Sequence, residues 1–292
     1  MLKTVDARLL SRFTRDLRLL PRIKVENYLL VDLGVRPCSQ TTLPAELPNA
    51  RAMGSAIERI MSPRMGLLQR ETDPRRRMAA VKALRGAMSD AYDKFVVGSP
   101  EHRAHLDWAD RFGLKKRMVE VRPTIRELYL FRDGGTGNRL GRLMKEREEL
   151  RRRAYARATP GTDKISLAYP EESVGFWTRE MGGVLGYPAC CVDAYASERE
   201  KGTSVESRAA RQVEEMEYSG GVDAFSYFVG YFYPCAPNCR EASSLGRESL
   251  RLLNGLDPAL GELYGSLVTE NLERVRDQPK PWWPTDSGHG GA

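Results

Sequence analysis

Apolar residues recur every three or four positions through most of the chain, the spacing of one helical face. At the start, Leu2, Val5, Leu9, Phe13, Leu17 and Leu20 form one stripe while Asp6, Arg8, Arg12, Arg15, Asp16 and Arg18 fill the rest. This predicts an amphipathic first helix that packs on the body. A secretory signal would need an uninterrupted apolar core instead. Pro21 breaks the pattern, Ile23 to Val35 is an apolar stretch compatible with helix or strand, and Arg36-Pro37-Cys38-Ser39 reads as a loop. Two long helices follow, one through Met53, Ile57, Ile60 and Met61, the other through Met78, Val81, Leu84, Met88, Tyr92 and Phe95. Ser99-Pro100-Glu101 then opens a shorter helix with Leu106, Trp108 and Phe112.

The period changes at Met118-Val119-Glu120-Val121 and Glu127-Leu128-Tyr129-Leu130-Phe131, where alternation and β-prone residues predict two short strands around Pro123. Lys164 to Ala168 is a third candidate strand, and Leu140 to Ala156 between them is a highly charged helix. From Val174 onward the helical spacing returns. The expected architecture is α+β and predominantly helical, with a small β element between a helical N-terminal region and a helical cysteine-rich region. The corresponding division is 1–115, 116–276 and a Pro- and Gly-rich tail over 277–292 that is expected to be disordered unless Trp282 and Trp283 dock.

Composition narrows the class. A hydrophobic share of 41% over 292 residues supports a core without a disulfide framework. The net charge of +7 gathers at Arg75-Arg76-Arg77 and Arg151-Arg152-Arg153, both in helix-like stretches that read as solvated faces. The excess admits nucleic acid as a partner, but no recognised nucleic-acid motif accompanies it, so that reading ranks low. The longest strongly apolar run, Phe225 to Tyr233, is too short to span a membrane and is interrupted by Gly230. The expectation is a soluble, cytoplasmic protein.

Four of the five cysteines fall within fifty residues, in two tight groups. Without a secretory signal that pattern favours metal or redox chemistry over disulfides. In Gly186-Tyr187-Pro188-Ala189-Cys190-Cys191, Pro188 is placed as the first residue of a helix, so both thiols lie in its first turn. In Tyr233-Pro234-Cys235-Ala236-Pro237-Asn238-Cys239, Pro237 can open a second helix, with Cys235 ahead of it and Cys239 in its first turn. Two helix N-termini would then converge, their free amides and positive dipole ends favouring the thiolate that a metal requires.

The expected ligands are therefore Cys190, Cys191, Cys235 and Cys239. Adjacent cysteines form a poor zinc knuckle but can reach different irons, which tilts the sequence reading to a [4Fe–4S] cluster, with zinc as the alternative. The functional expectation is a redox or cluster-dependent enzyme acting on a small molecule, or an electron-transfer protein. The rival is a zinc-stapled, non-enzymatic binding module whose basic surface holds nucleic acid.

The two cysteine groups resemble the signature of an uncharacterised prokaryotic family, domain of unknown function 483, over roughly Ile165 to Leu253. The resemblance implies no reaction. A looser likeness is to the cysteine-rich domain of heterodisulfide-reductase-type proteins, where a lone Cys, a Cys-Cys pair and a C-x2-C unit hold iron–sulfur clusters. Cys38 stands too far away in sequence, and the last unit here has three intervening residues, so that likeness is an analogy.

Outside the cysteine groups, Cys38 reads as a bystander in its loop. His102 and His105 share a helical face beside Glu101 and Asp107 and read as surface groups. Gly134 to Gly141 follows a candidate strand and misses a phosphate-binding G-x-G-x-x-G by one residue, so it reads as a flexible turn capped by Asn138. Glu171 and Glu172 read as first-turn helix residues stabilised by the dipole.

Overall fold

A computed structural model describes residues 6–159, 167 and 169–278, and the chain divides into two compact units between Arg139 and Leu140. The candidate strand over 164–168 and the Trp282-Trp283 tail lie outside the described residues, except Leu167. No described helix is long and apolar enough to cross a membrane.

In the first unit, α1 (Ala7–Arg15) is capped by Asp6, whose side chain accepts from the Arg8 amide. The predicted stripe holds only in part: Phe13 is buried, Leu9 is half-buried with the unpredicted Leu10 buried beside it, and Leu17, beyond the helix, is exposed. The ambiguous apolar stretch is helical: α2 runs through Pro21–Ile23, a π-helical Lys24–Leu29 and Leu30–Asp32. Cys38 is not in a loop. It begins β1 (Cys38–Leu43), because the Asn27 side chain on α2 donates to Thr41 Oγ1 at 2.7 Å and the Ser39 hydroxyl donates to the Asn27 carbonyl at 2.8 Å. α3 (Ala50–Arg70), α4 (Pro74–Tyr92), extended by a π turn Asp93–Val97, and α5 (Pro100–Phe112) follow. Ser99 caps α5 by accepting from the His102 amide.

The two predicted strands are β2 (Lys115–Arg122) and β3 (Ile125–Phe131). They form an antiparallel sheet of order β1-β3-β2, with Cys38 opposite Phe131 and Lys115 opposite the same residue on the other side. The glycine-rich segment is not a turn but the opening of α6 (Gly134–Arg157). Asp133 accepts from both the amide and the hydroxyl of Thr136, which supplies the helix start that the sequence reading gave to Asn138. Gly137 answers to packing, since a Cβ there would stand 2.5 Å from the Phe131 ring.

The core of this unit is aromatic. Phe13 meets Trp108 and Phe112 at ring distances of 5.0 and 4.7 Å, and Trp108 donates to Asp16. His102 and His105 are buried in it rather than exposed, because α5 turns that face inward. The Tyr28 hydroxyl donates to the His105 carbonyl at 2.7 Å and stands 3.2 Å from His105 Nδ1. Burial, and secondarily the neighbouring His102, pulls His105 down to about 4.

The second unit contains the rest of α6, a 3-10 turn Pro170–Ser173, and then α7 (Gly175–Leu185), α8 (Ala189–Glu200), α9 (Val205–Glu217), a 3-10 turn Ala224–Tyr227, α10 (Arg240–Leu256) and α11 (Pro258–Arg276). Glu171 is buried and ion-paired to Arg151, while Arg152 and Arg153 share Glu149, so each arginine of this basic cluster has a carboxylate partner. Ala209, Val213, Tyr227, Leu272 and Val275 make a core under the 3-10 turn.

The depressed His105 fixes a pH dependence. Its ordinary value is 6.5, so between there and about 4 the unfolded chain takes up a proton that the folded chain refuses. Stability is therefore held above pH 6.5 and falls as pH drops towards 4, by about 3 kcal/mol for a shift of this size. Urea unfolding followed by Trp108 fluorescence should show that fall, and His105→Asn should flatten it; a wild-type profile level from pH 7 to 4.5 would contradict the burial argument.

Candidate metal centre

Both cysteine groups sit at helix starts in the second unit, each reached through a buried proline. α7 ends at Gly186, whose φ of 76° is left-handed and favours glycine, and the chain then turns through Tyr187-Pro188 into α8. Pro188 is the N-cap of α8 rather than its first residue, so Cys190 and Cys191 lie in the first turn. The second group differs more from expectation. Pro237 does not open the helix; the chain stays in a turn until Cys239, which is itself the N-cap of α10.

Packing fixes where these two helix starts stand. Gly182 on α7 approaches α8 so closely that a Cβ would fall 2.6 Å from Val192. Gly246 does the same for α10, where a Cβ would meet the Phe225 carbonyl oxygen at 2.3 Å. The rings of Tyr187, Phe228 and Phe232 pack together, with Tyr187 and Phe232 4.9 Å apart and Phe228 and Phe232 4.8 Å apart. Tyr187 precedes Cys190 by three residues and Phe232 precedes Cys235 by three, so one aromatic group supports both loops. Arg208 on α9 joins them again: it donates to the Pro234 carbonyl at 2.7 Å and to Glu198 on α8 at 3.1 Å. The Asp223 amide donates to the Pro237 carbonyl, and the Ser226 hydroxyl stands 2.8 Å from that of Ser243, closing the second loop onto α10.

The result is four sulfur atoms within 4.8 Å of one another. Cys190 to Cys191 is 3.8 Å, Cys190 to Cys239 is 3.6 Å and Cys191 to Cys239 is 3.5 Å. The Cys235 amide donates to the Cys191 sulfur at 3.4 Å. This arrangement can hold a metal ion. Cys191 and Cys239 are buried, Cys235 is half-buried and Cys190 is exposed. Cys38 is outside the group; it is buried in β1, and burial pushes its thiol up to about 12.

Residues 156–251 match the family described as protein of unknown function (DUF483). The match bears out the resemblance read from the sequence, and the matched segment spans all four clustered cysteines. No curated protein and no solved structure gives a significant match to the chain.

Within the matched segment the electrostatics are uneven. Burial and then the Cys239 side chain push Cys190 up to about 12, and burial also raises Cys191 and Cys235. Burial alone would raise Cys239 too, but the Ala242 amide and the neighbouring thiols favour its charged form more strongly, and its pKa falls. Beside Cys190, Glu241 Oε2 lies 3.4 Å from the sulfur. Pro188, Arg240, Glu241, Ser244 and Leu245 line a shallow recess of about 510 Å³ there.

The sequence pattern gives the four cysteines but not Arg208, Glu241 or Gly246. A lone arginine inside a helix carries no spacing signal, and the closeness of Gly246 to Phe225 arises only when α10 docks. Replacing Arg208 by Ala leaves the Pro234 carbonyl and Glu198 without their shared donor. It should cost about 2 kcal/mol in unfolding free energy and weaken metal binding with all four cysteines still present. Unchanged unfolding and unchanged metal affinity in that variant would remove Arg208 from the support of the site.

Proposed function

We propose that Cys190, Cys191, Cys235 and Cys239 hold one tetrahedral metal ion, zinc, that staples α8 to α10, and that the chain is a metal-stapled binding module. The spacing of the sulfurs carries this reading. Four thiolates at the usual zinc–sulfur length of about 2.3 Å stand about 3.8 Å apart in a tetrahedron. The three pairs among Cys190, Cys191 and Cys239, at 3.5, 3.6 and 3.8 Å, lie close to that value, and the Cys235 sulfur stands within 4.8 Å of each of them. In a four-iron cluster each thiolate ligates its own iron, and an iron–iron edge separates the sulfurs further, so the spacing favours zinc over the [4Fe–4S] cluster of the sequence reading.

Four protein ligands complete a tetrahedron and leave no open position for a substrate, the arrangement of a structural rather than a catalytic zinc. The task of the ion is then to hold two helix starts and the intervening chain in register. It also resolves a charge conflict, because buried thiols ionise together only around a cation. The same geometry accommodates a single iron, and the Cys235 amide on the Cys191 sulfur is the kind of contact that tunes such a centre's potential.

Protein purified without oxygen should carry one zinc per chain, no acid-labile sulfide and no absorbance near 400 nm. Iron and sulfide at about four each per chain would overturn the proposal and restore the cluster. One iron without sulfide would keep the geometry and replace the staple by an electron carrier. Cys191→Ala and Cys239→Ala should lose the metal and destabilise residues 169–276 together, since metal binding and folding are coupled. Cys38→Ser should leave metal content unchanged.

A further inference from the structure

The apolar stripes of α3 and α4 run on past the point where the first unit covers them. In α3, Met53, Ile57 and Met61 are buried, but Met65 and Leu67 are 42% and 69% exposed. In α4 the buried residues are Leu84, Ala91 and Tyr92, while Met78 and Val81, on the same predicted stripe, are 76% and 41% exposed. Residues 62–83 contain no buried side chain at all. The far half of this helical hairpin thus presents two apolar stripes to solvent, which a hairpin without a further partner has no reason to carry.

Charge is concentrated at the same place. Residues 50–92 contain nine basic and four acidic residues, a net +5 out of the chain's +7. The eight cations from Arg59 to Arg85 make no ion pair among the described residues, whereas Arg152, Arg153 and Arg251 on other helices each have a carboxylate three or four residues away. Along α4, Pro74, Arg77, Met78, Val81, Lys82 and Arg85 line an open groove of about 620 Å³. Met78 and Val81 are its apolar members and Arg77, Lys82 and Arg85 its cations.

We propose that the α3–α4 hairpin is a docking arm for an acidic amphipathic helix of a partner protein. Such a helix lays its apolar stripe on Met78 and Val81 and its carboxylates against Arg77, Lys82 and Arg85, the helix-in-groove mode of recognition. Both halves of the surface point to this occupant. A phosphate backbone would answer the cations and leave the methionine and valine uncovered, and a second copy of the chain would bring +5 against +5. The inference is independent of the metal centre, since it uses only residues of the first unit.

The test uses the full chain and a fluorescein-labelled peptide of about 20 residues, with Leu at heptad positions a and d and Glu on the flanks. Its controls are a scrambled peptide of the same composition and labelled duplex DNA and single-stranded RNA of similar charge. The ordered peptide should bind at least about tenfold more tightly than the scrambled one, and amides of residues 62–83 should gain hydrogen-exchange protection. Met78→Ala with Val81→Ala, which keeps helix propensity, should weaken binding at least about tenfold, as should Arg77→Glu with Lys82→Glu. Circular dichroism and thermal unfolding of these variants should match the parent, since the side chains are exposed. Equal binding of ordered and scrambled peptides would overturn the proposal. So would tight, salt-sensitive nucleic-acid binding that survives the Met78 and Val81 changes, or self-association of the chain abolished by them.

Discussion

Four sulfur atoms packed within 4.8 Å of one another cannot all carry charge unless a cation stands among them. Much of the second unit follows from that constraint. The two cysteine groups are separated by more than forty residues, and bringing them together costs loop-closure entropy that no local contact returns. What offsets it is a shell of ordinary packing: the Tyr187–Phe228–Phe232 rings beneath, Arg208 across the two loops, and glycines where α8 and α10 meet their neighbours. A metal bound by the four cysteines would add a large term to a framework already shaped for it.

The helix starts matter for the same reason. Cys190 and Cys191 lie in the first turn of α8, and Cys239 is the N-cap of α10, where a serine or aspartate would ordinarily accept an amide. Against the burial that would raise it, the Ala242 amide and the neighbouring thiols hold the Cys239 thiol below its ordinary value. The exposed Cys190 closes the site on the solvent side.

The fold class, the two strands around Pro123 and the four clustered cysteines were legible in the sequence because each rests on short-range spacing. What was not legible depends on docking. Cys38 looked like a loop residue after Pro37, yet hydrogen bonds from the distant Asn27 draw it into β1. His102 and His105 look like surface groups from their polar neighbours Glu101 and Asp107, and only the rotation of α5 onto Tyr28 buries them. The glycines of 134–141 read as a flexible turn, but they open α6, and Gly137 serves the close approach of Phe131. The cysteine spacing likewise gave the candidate ligands but not the metal, because the choice of metal depends on the distances between sulfurs and not on the intervals between cysteines.

X-ray absorption at the edge of the bound metal measures those distances directly. The account requires a single shell of four sulfurs at about 2.3 Å and no metal–metal scattering. A second, heavy-atom shell from neighbouring irons would contradict it, because the sulfurs would then have to move apart from the positions that the helices of the second unit give them.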